Sequence, residues 1–158
     1  MIRSIPSLIA AIIICNLAGA IGGIFTARSV TTWYSTLSKP SFSPPSWVFA
    51  PVWTTLYTLM GVAAWMVWRK GVAQAPVRTA LIVFAIQLLL NAVWSPVFFG
   101  LRSPGYAFLV ILALWAAIAL TIVWFLKAST PAGLLLLPYI AWVSFAAVLN
   151  YELWRLNR

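Results

Sequence analysis

The chain alternates long apolar segments with short polar breaks, and this pattern predicts its secondary structure. A helix that spans a bilayer needs about 20 predominantly apolar residues. Five segments have that length, namely 5–27, 46–68, 77–101, 104–126 and 132–154. Charges and prolines mark the breaks, as at Arg102-Ser103-Pro104, and proline is tolerated in the first turn of a helix. The pattern predicts an all-α integral membrane protein, a five-transmembrane-helix bundle that forms a single domain over residues 1–158.

One connection differs from the others in length and composition. It lies between the first two helices, from Trp33 to Trp53, and reads WYSTLSKPSFSPPSWVFAPVW. Proline fixes its own φ angle and biases the preceding residue toward extended backbone. We therefore expect a long, stiff, proline-rich loop between helices 1 and 2, placed to act as a lid on the bundle. Its prolines are Pro40, Pro44, Pro45 and Pro51.

Composition supports the membrane assignment and removes most catalytic chemistry. Apolar residues make up 64% of the chain, against about 45–50% in soluble domains, and the mean hydropathy is +1.02. Histidine is absent, Cys15 is the one cysteine and Glu152 the one acidic residue. A Ser-His-Asp triad, paired carboxylates, a zinc cluster and a histidine-ligated haem are thus excluded within one chain. We expect no metal and no required cofactor.

The net charge of +9 does not indicate nucleic-acid binding. Basic residues occur one to three at a time between apolar runs, whereas nucleic-acid-binding proteins collect them on one face. Lysine and arginine at helix ends meet lipid phosphates instead. Their distribution gives no orientation, because each side of the bundle carries five. The N-terminal side has Arg3, Arg69, Lys70, Arg78 and Lys127, and the other has Arg28, Lys39, Arg102, Arg155 and Arg158.

The first apolar segment has some features of a signal peptide. Arg3 precedes it, and Ala18-x-Ala20 resembles a cleavage site. The apolar run continues to Phe25, however, which is longer than a typical signal-peptide core and favours a first membrane helix. No Arg-rich amphipathic mitochondrial presequence is visible. We expect a multi-pass protein of a bacterial cell membrane.

Two amides in the third helix are candidate functional residues. Gln87 and Asn91 stand four residues apart on one helix face, and Trp94 continues that face. Polar side chains at membrane depth either form part of a ligand site or join helices by hydrogen bonds, and the sequence leaves both interpretations open. As a ligand site, the set would form an aromatic cavity with amide donors, suited to a flat, conjugated ligand. Its members are Trp53, Tyr57, Gln87, Asn91, Trp94 and Trp142.

The ten tryptophans fall into two groups by depth. Indoles at the ends of the segments fit the aromatic belt of membrane proteins, and they are Trp33, Trp47, Trp68 and Trp154. Indoles deeper in the segments need an internal acceptor for their N–H groups. The deeper ones are Trp53, Trp65, Trp94, Trp115 and Trp142, while Trp124 is ambiguous.

Three further patterns carry weaker predictions. Glu152 stands three residues before Arg155, which predicts an interfacial ion pair. Leu149, Tyr151 and Arg155 match a proposed cholesterol-contact pattern of low specificity, a possible sterol contact. Small-residue pairs permit close helix approach, either within the bundle or in a dimer, and they occur as Gly19-x-x-x-Gly23 and Ala113-x-x-x-Ala117.

Over nearly its whole length, the chain resembles the TspO/MBR family. This family comprises the tryptophan-rich sensory proteins of bacteria and the mitochondrial translocator protein, once called the peripheral-type benzodiazepine receptor. The matching motifs are Trp33-Tyr34, Lys39-Pro40-x-Phe42-x-Pro44-Pro45, Trp47, Trp53-x-x-x-Tyr57, Gln87-x-x-x-Asn91-x-x-Trp94-Ser95-Pro96-x-Phe98-Phe99 and Pro138-Tyr139-x-x-Trp142-x-x-Phe145-Ala146-x-x-Leu149-Asn150.

The resemblance implies a five-helix bundle, commonly a homodimer, whose first loop closes over a cavity for porphyrins and benzodiazepine-type ligands. It also implies light- and oxygen-dependent breakdown of protoporphyrin in bacterial members, with Trp53 and Trp142 as the catalytic candidates. Phe42 stands at a position where relatives often have tryptophan. Gln87 stands at a position where some members of the family have asparagine. Carried over by position, the ligand-binding residues are Tyr34, Pro44, Trp53, Tyr57, Gln87, Asn91, Trp94, Trp142 and Ala146.

Three function classes follow from these observations. The first is a membrane protein that binds porphyrins and related hydrophobic ligands in tetrapyrrole sensing, transport or disposal. The second is an enzyme that degrades protoporphyrin using light and oxygen, and the sequence leaves enzymatic status open because conventional catalytic residues are missing. The third is a sterol- or lipid-binding or stress-regulatory interaction protein.

Overall fold

The computed structural model describes residues 4–158, so Arg3, which entered the charge count, lies outside the described residues. Within these residues, five helical spans are long and apolar enough to cross a membrane, which confirms the predicted all-α membrane protein with five transmembrane helices. The helices are α1 (Ser4–Val30), α2 (Phe49–Trp68), α3 (Ala75–Ser95), α4 (Pro104–Ala128), α5 (Thr130–Leu134) and α6 (Leu137–Leu156). The short helix α5 and α6 together form the fifth span, Thr130–Leu156.

The helices pack in a ring whose order differs from their order in the chain. α1 lies between α2 and α3, α3 packs on α4, and α4 packs on α6. Contacts between α2 and α5 close the ring. Apolar side chains point outward along the whole of α1, as expected for a helix in contact with lipid. They include Ile5, Ile9, Ile13, Leu17, Ile21 and Ile24.

Glycines set the close approach of α1 and α2. A Cβ atom on Gly61 would lie 2.6 Å from Ile12 Cα, and one on Gly19 would overlap the Tyr57 ring. At both positions α1 and α2 approach so closely that only glycine, which has no Cβ atom, fits without a shift of the neighbouring atoms. Gly23, the second residue of the predicted pair, has no atom within 4 Å of such a Cβ position. Within this pair, Gly19 packs inside the bundle and Gly23 faces outward.

Prolines alter two of the predicted helices. The third span ends in a π-helical turn, Pro96–Gly100, in which Leu101 N–H donates to the Pro96 carbonyl five residues back at 2.9 Å. The fifth span is divided between Leu134 and Leu137, because the Pro138 ring obstructs the carbonyl four residues earlier. The predicted segment 132–154 is thus two helices.

The connection between α1 and α2, residues 31–45, is called loop 1 below. It is shorter than the predicted stretch from Trp33 to Trp53, because Pro51 lies in the first turn of α2, where a proline is tolerated, and Trp53 follows within that helix. It contains a 3-10 turn at Tyr34–Thr36, and a second 3-10 turn, Ser46–Val48, leads into α2. Ser43 N–H donates to the Pro40 carbonyl at 3.1 Å, which closes a further turn. Loop 1 lies at the end of the bundle where α1 ends and α2 begins.

Candidate ligand site beneath loop 1

Tyr34 fixes the start of loop 1 to the end of α3. Only 6% of its surface is exposed, and its ring contacts Phe99 at 5.6 Å and Phe98 at 6.3 Å between centroids. The Lys39 ammonium lies 4.7 Å from the Tyr34 ring centroid. Burial raises the pKa of the Tyr34 phenol above its ordinary value, so this side chain is neutral near pH 7. Loop 1 thereby places one cation directly above a buried aromatic ring.

Four aromatic side chains form a cluster beneath loop 1, which we call the loop cluster: Phe42, Phe49, Trp142 and Phe145. Phe42 of loop 1 contacts Phe145 at 6.2 Å, and Phe145 contacts Trp142 at 5.3 Å between ring centroids. Phe49, in the first turn of α2, contacts the other edge of Trp142 at 6.2 Å. The loop cluster connects loop 1, α2 and α6 through contacts between aromatic rings.

The five deep tryptophans differ in whether the indole N–H has an acceptor, and Trp53 makes no N–H hydrogen bond within the described residues. The prediction that deep indoles need internal acceptors is confirmed at three positions, where the indole N–H donates to a side-chain oxygen. These bonds join Trp65 to Ser7 at 3.1 Å, Trp94 to Asn150 at 2.9 Å and Trp115 to Ser144 at 2.8 Å. The Trp142 N–H is buried and has no acceptor within the described part of the chain. An unsatisfied buried donor is costly, which makes it a natural contact for an acceptor on a ligand.

Trp53 lies one helical turn beyond Phe49 on α2 and packs against the buried core. Its indole stacks on the Tyr57 ring at 5.5 Å and meets the Tyr139 ring edge-on at 6.3 Å. The two phenols belong to neighbouring walls of the bundle, since Tyr57 is on α2 and Tyr139 on α6. Trp53, Tyr57 and Tyr139 therefore form a second aromatic group, in the interior of the bundle.

Below Trp53 lies a network of buried hydrogen bonds. Tyr57 OH donates to Asn91 Oδ1, Asn91 Nδ2 donates to Tyr139 OH at 2.7 Å, and Tyr139 OH donates to Gln87 Oε1 at 2.8 Å. Gln87 Nε2 also lies 3.8 Å from the Met60 sulfur. The network links α2, α3 and α6. Of the two interpretations of these amides, hydrogen bonding between helices describes the contacts that the structure contains.

Trp94 belongs to a second polar contact on the same face of α3. Its N–H donates to Asn150 Oδ1, and Asn150 Nδ2 donates to the Pro104 carbonyl at 2.8 Å. The Trp94 ring stacks on the Phe98 ring at 5.1 Å between centroids, and the Phe98 ring in turn contacts the Tyr34 ring. Asn150 thus connects α3, α4 and α6 and orients the indole that supports the start of loop 1.

The structure gathers most, not all, of the predicted ligand-binding residues. Trp142 lies in the loop cluster. Trp53 stacks on Tyr57, whose hydroxyl belongs to the hydrogen-bond network of Gln87 and Asn91. Ala146 lies one turn beyond Trp142 on α6 and is partly buried, as is Pro44 in loop 1. Tyr34 and Trp94 form the separate group on Phe98.

Several residues of the site were absent from the predicted set. Phe49 and Phe145 surround Trp142, and Tyr139 is the centre of the hydrogen-bond network. Tyr139 and Phe145 stood within the family motif, and Tyr139 follows Pro138 at the start of a helix. Their signal was an aromatic residue at helical spacing from Trp142, but the same spacing is common in ordinary packing.

The proposed sterol-contact residues do not share one surface. Leu149 is buried beside Phe98 and Tyr34, whereas 41% of the Tyr151 surface is exposed. Arg155 Nη2 lies 2.6 Å from Glu152 Oε2, which confirms the predicted ion pair. Tyr151 packs against Phe108 at 5.4 Å. Leu149 therefore contributes to the support of loop 1 instead of to the outer face of α6.

These features define a class of protein: a five-helix membrane bundle with an aromatic site under its first loop and a buried amide and phenol network below. The sequence profile of the TspO/MBR family matches residues 11–155. The chain therefore belongs to the TspO/MBR family.

Similar chains come from distant organisms. The tryptophan-rich protein TspO of Chlorobaculum tepidum is 43% identical over 157 residues, covering 99% of each chain. The tryptophan-rich sensory protein of Cereibacter sphaeroides is 42% identical over 126 residues, covering 79% of this chain and 77% of the relative. The translocator protein of Bos taurus is 39% identical over 144 residues, covering 90% of this chain and 85% of the relative.

Proposed function

We propose that this membrane protein binds a porphyrin such as protoporphyrin beneath loop 1 and acts in tetrapyrrole sensing, transport or disposal. The single observation that carries the proposal is the buried Trp142 N–H without an acceptor, set in a cluster of π surfaces. A flat conjugated ring with pyrrole nitrogens and carboxylate groups offers both the stacking surface and the acceptor that this position needs.

Charge at this end of the bundle also favours an anionic aromatic ligand. Five basic residues belong to the side of the bundle where loop 1 lies. The one acidic residue of the chain, Glu152, is paired with one of them, Arg155. Lys39 lies over the Tyr34 ring within loop 1 itself. Protoporphyrin carries two propionates on one edge of a large apolar ring. A propionate at Lys39 would leave the ring facing the loop cluster, and the aromatic side chains there would move apart to admit it.

Titration of the purified protein with protoporphyrin in the dark tests this proposal. The Soret band and tryptophan fluorescence should both change saturably. Trp142→Phe keeps the ring and removes the N–H, so the Kd should rise about five- to tenfold, the equivalent of one hydrogen bond. Trp115→Phe, which removes the indole N–H bound to Ser144 between α4 and α6, is the matched control. Binding that never saturates would remove the proposal and favour a partner-binding regulatory protein.

A second candidate function is light- and oxygen-dependent breakdown of the bound porphyrin. The observation that favours it is the stacking of Trp53 on Tyr57 with Tyr139 at its edge, because indole and phenol rings in contact can be oxidised and can pass a radical between them. Aerobic illumination of the complex should then bleach the Soret band, and Trp53→Phe should slow the bleaching. Quenching without loss of pigment would exclude this activity. Bleaching that survives in both Trp53→Phe and Trp142→Phe would show that the protein takes no part in it.

We place this activity in a bacterial cell membrane. The five apolar spans establish an integral membrane protein, and similar chains occur in bacteria such as Chlorobaculum tepidum and Cereibacter sphaeroides. Fractionation of the source cells, followed by detection of the chain in the membrane pellet, tests the assignment.

A further inference from the structure

A cavity lies at the end of the bundle opposite loop 1. It is a groove between α1, α2 and α3 with a volume of about 280 Å³, and its walls are almost entirely carbon. A cavity of about 150 Å³ is large enough for a benzene molecule. The groove is therefore roomy enough for a longer apolar group. Its walls include Ala10, Cys15, Ala64, Trp65, Leu81 and Phe84.

The groove runs along the membrane normal. Ser7 stands at its outer end and Cys15 at its inner end, both on α1. Eight residues of helix span about 12 Å at 1.5 Å per residue. The hydrocarbon of one leaflet is about 15 Å deep, half of a bilayer core of about 30 Å. A groove of this length would extend from headgroup level to near the membrane centre. Its wall includes Ala10 and Ile14, which are exposed on the outer face of α1, so lipid could enter from that side.

The outer end of the groove is rigid. The Trp65 indole N–H donates to Ser7 Oγ at 3.1 Å and to the Ser4 carbonyl at 3.1 Å, which holds the ring as a wall between α1 and α2. The Arg69 guanidinium lies over the same ring at 4.7 Å from its centroid. A cation is therefore held at the outer end of an apolar channel.

No carboxylate of this chain is available to the cations at that end. Lys70 follows Arg69 where α2 ends, and Glu152, the chain's single acid, is bound to Arg155 at the opposite side of the bundle. The negative charge that complements Arg69 and Lys70 must come from another molecule. Lipid phosphates are the anions present at this depth.

We propose that the groove binds one anionic phospholipid, with an acyl chain between α1, α2 and α3 and its phosphate at Arg69 and Lys70. The length of the groove matches a chain segment, its lateral opening matches access from the bilayer, and its rim carries the complementary charge. This site is separate from the region beneath loop 1 and does not depend on porphyrin binding.

The test is a lipid titration of the detergent-solubilised protein followed by native mass spectrometry. Dioleoyl phosphatidylglycerol should give one tightly retained molecule per chain, and dioleoyl phosphatidylcholine should be retained less. Ala10→Phe places a large ring at an exposed position of the groove wall, so the affinity for both lipids should fall at least tenfold. Ala20→Phe, at an exposed position farther along α1 that does not line the groove, should change neither.

The charge is tested separately. Arg69→Gln should reduce the preference for phosphatidylglycerol over phosphatidylcholine about fivefold, as expected for one cation near a headgroup. Lys127→Gln is the control, because Lys127 also lies 4.7 Å above an indole ring at the same side of the bundle, that of Trp124. Unchanged retention in Ala10→Phe, with the helical content of the native protein, would overturn the proposal. So would equal retention of the two lipids by the native chain, or displacement of both by cholesterol.

Discussion

The side-chain amide of Asn157 forms hydrogen bonds with both the backbone N–H and the backbone carbonyl of Ser38. Ser38 N–H donates to Asn157 Oδ1 at 2.8 Å, and Asn157 Nδ2 donates to the Ser38 carbonyl at 2.9 Å. Asn157 follows directly on the end of α6, and its Nδ2 also donates to the Leu153 carbonyl at 2.8 Å. The middle of loop 1 is thereby tied to the C-terminal end of the bundle, 119 residues away in sequence.

Asn157→Ala should therefore free loop 1 without unfolding the helices. Loss of two hydrogen bonds at about 1 kcal/mol each should destabilise the closed loop by about 2 kcal/mol at most. The equilibrium constant for loop opening should therefore rise about tenfold to thirtyfold. Hydrogen exchange at the Ser38 and Ser43 amides should accelerate by that factor. Arg158→Gln, which alters the neighbouring side chain stacked on Trp154, is the control. Exchange rates equal to those of the native protein would mean that the aromatic contacts alone hold the loop.

The hydrogen-bond network gives a prediction for stability. Tyr139→Phe removes the hydroxyl that accepts from Asn91 and donates to Gln87, so two buried amides lose a partner at once. The free energy of unfolding should fall by about 1–2 kcal/mol, toward the upper end for hydrogen bonds between membrane helices. Denaturant titration in mixed micelles measures this. Tyr106→Phe changes a phenol that is 69% exposed and should stay within about 0.5 kcal/mol of the native value; equal losses in the two variants would contradict the prediction.

The spans and the need for indole partners could be predicted because each depends on one property of a local segment. An apolar run of sufficient length must be helical in lipid, and a deep indole such as Trp94 must find an acceptor. The identity of that acceptor, Asn150, depends on how α3 and α6 are rotated toward each other. Helices that are apolar on all sides carry little pattern that reveals their rotation.

The same limit explains what the sequence left unspecified at the site. Gln87 and Asn91 were recognisable as functional candidates, but Tyr139 occupies the position between them through tertiary packing alone. The contact between Asn157 and Ser38 involves a residue past the end of a helix and a residue of a loop, and neither belongs to a periodic pattern. The divided fifth span was foreseeable in principle, since Pro138 lies well inside the predicted helix.

Helix packing gives a prediction with an internal control. Gly61→Ala places a methyl group 2.6 Å from Ile12 Cα, and backbone cannot yield there without separating α1 from α2. The free energy of unfolding should fall by about 1–3 kcal/mol, as for overpacking in other cores. Gly23→Ala meets no atom within 4 Å and should be neutral within the described chain. If both substitutions were tolerated equally, the close contact of α1 with α2 would not be required for the fold.

The prolines of loop 1 give the last prediction. Pro45 adopts an extended backbone conformation, with φ −57° and ψ 145°, just before the turn that leads into α2. Replacing Pro44 and Pro45 together by glycine lets loop 1 adopt more conformations when it is detached from the bundle. Each replacement should therefore make closure of the loop less favourable by about 0.4–1 kcal/mol.

Closing loop 1 over protoporphyrin would then be less favourable, and the Kd should rise about four- to thirtyfold by the same arithmetic. Circular dichroism should show the helical content of the native protein, because neither proline lies within a helix. Pro76→Ala, a change in the first turn of α3 at the opposite end of the bundle, is the control. An unchanged Kd in the double variant would mean that loop 1 connects two helices without contributing to the site, and Trp142 would then have to bind the ligand from α6 alone.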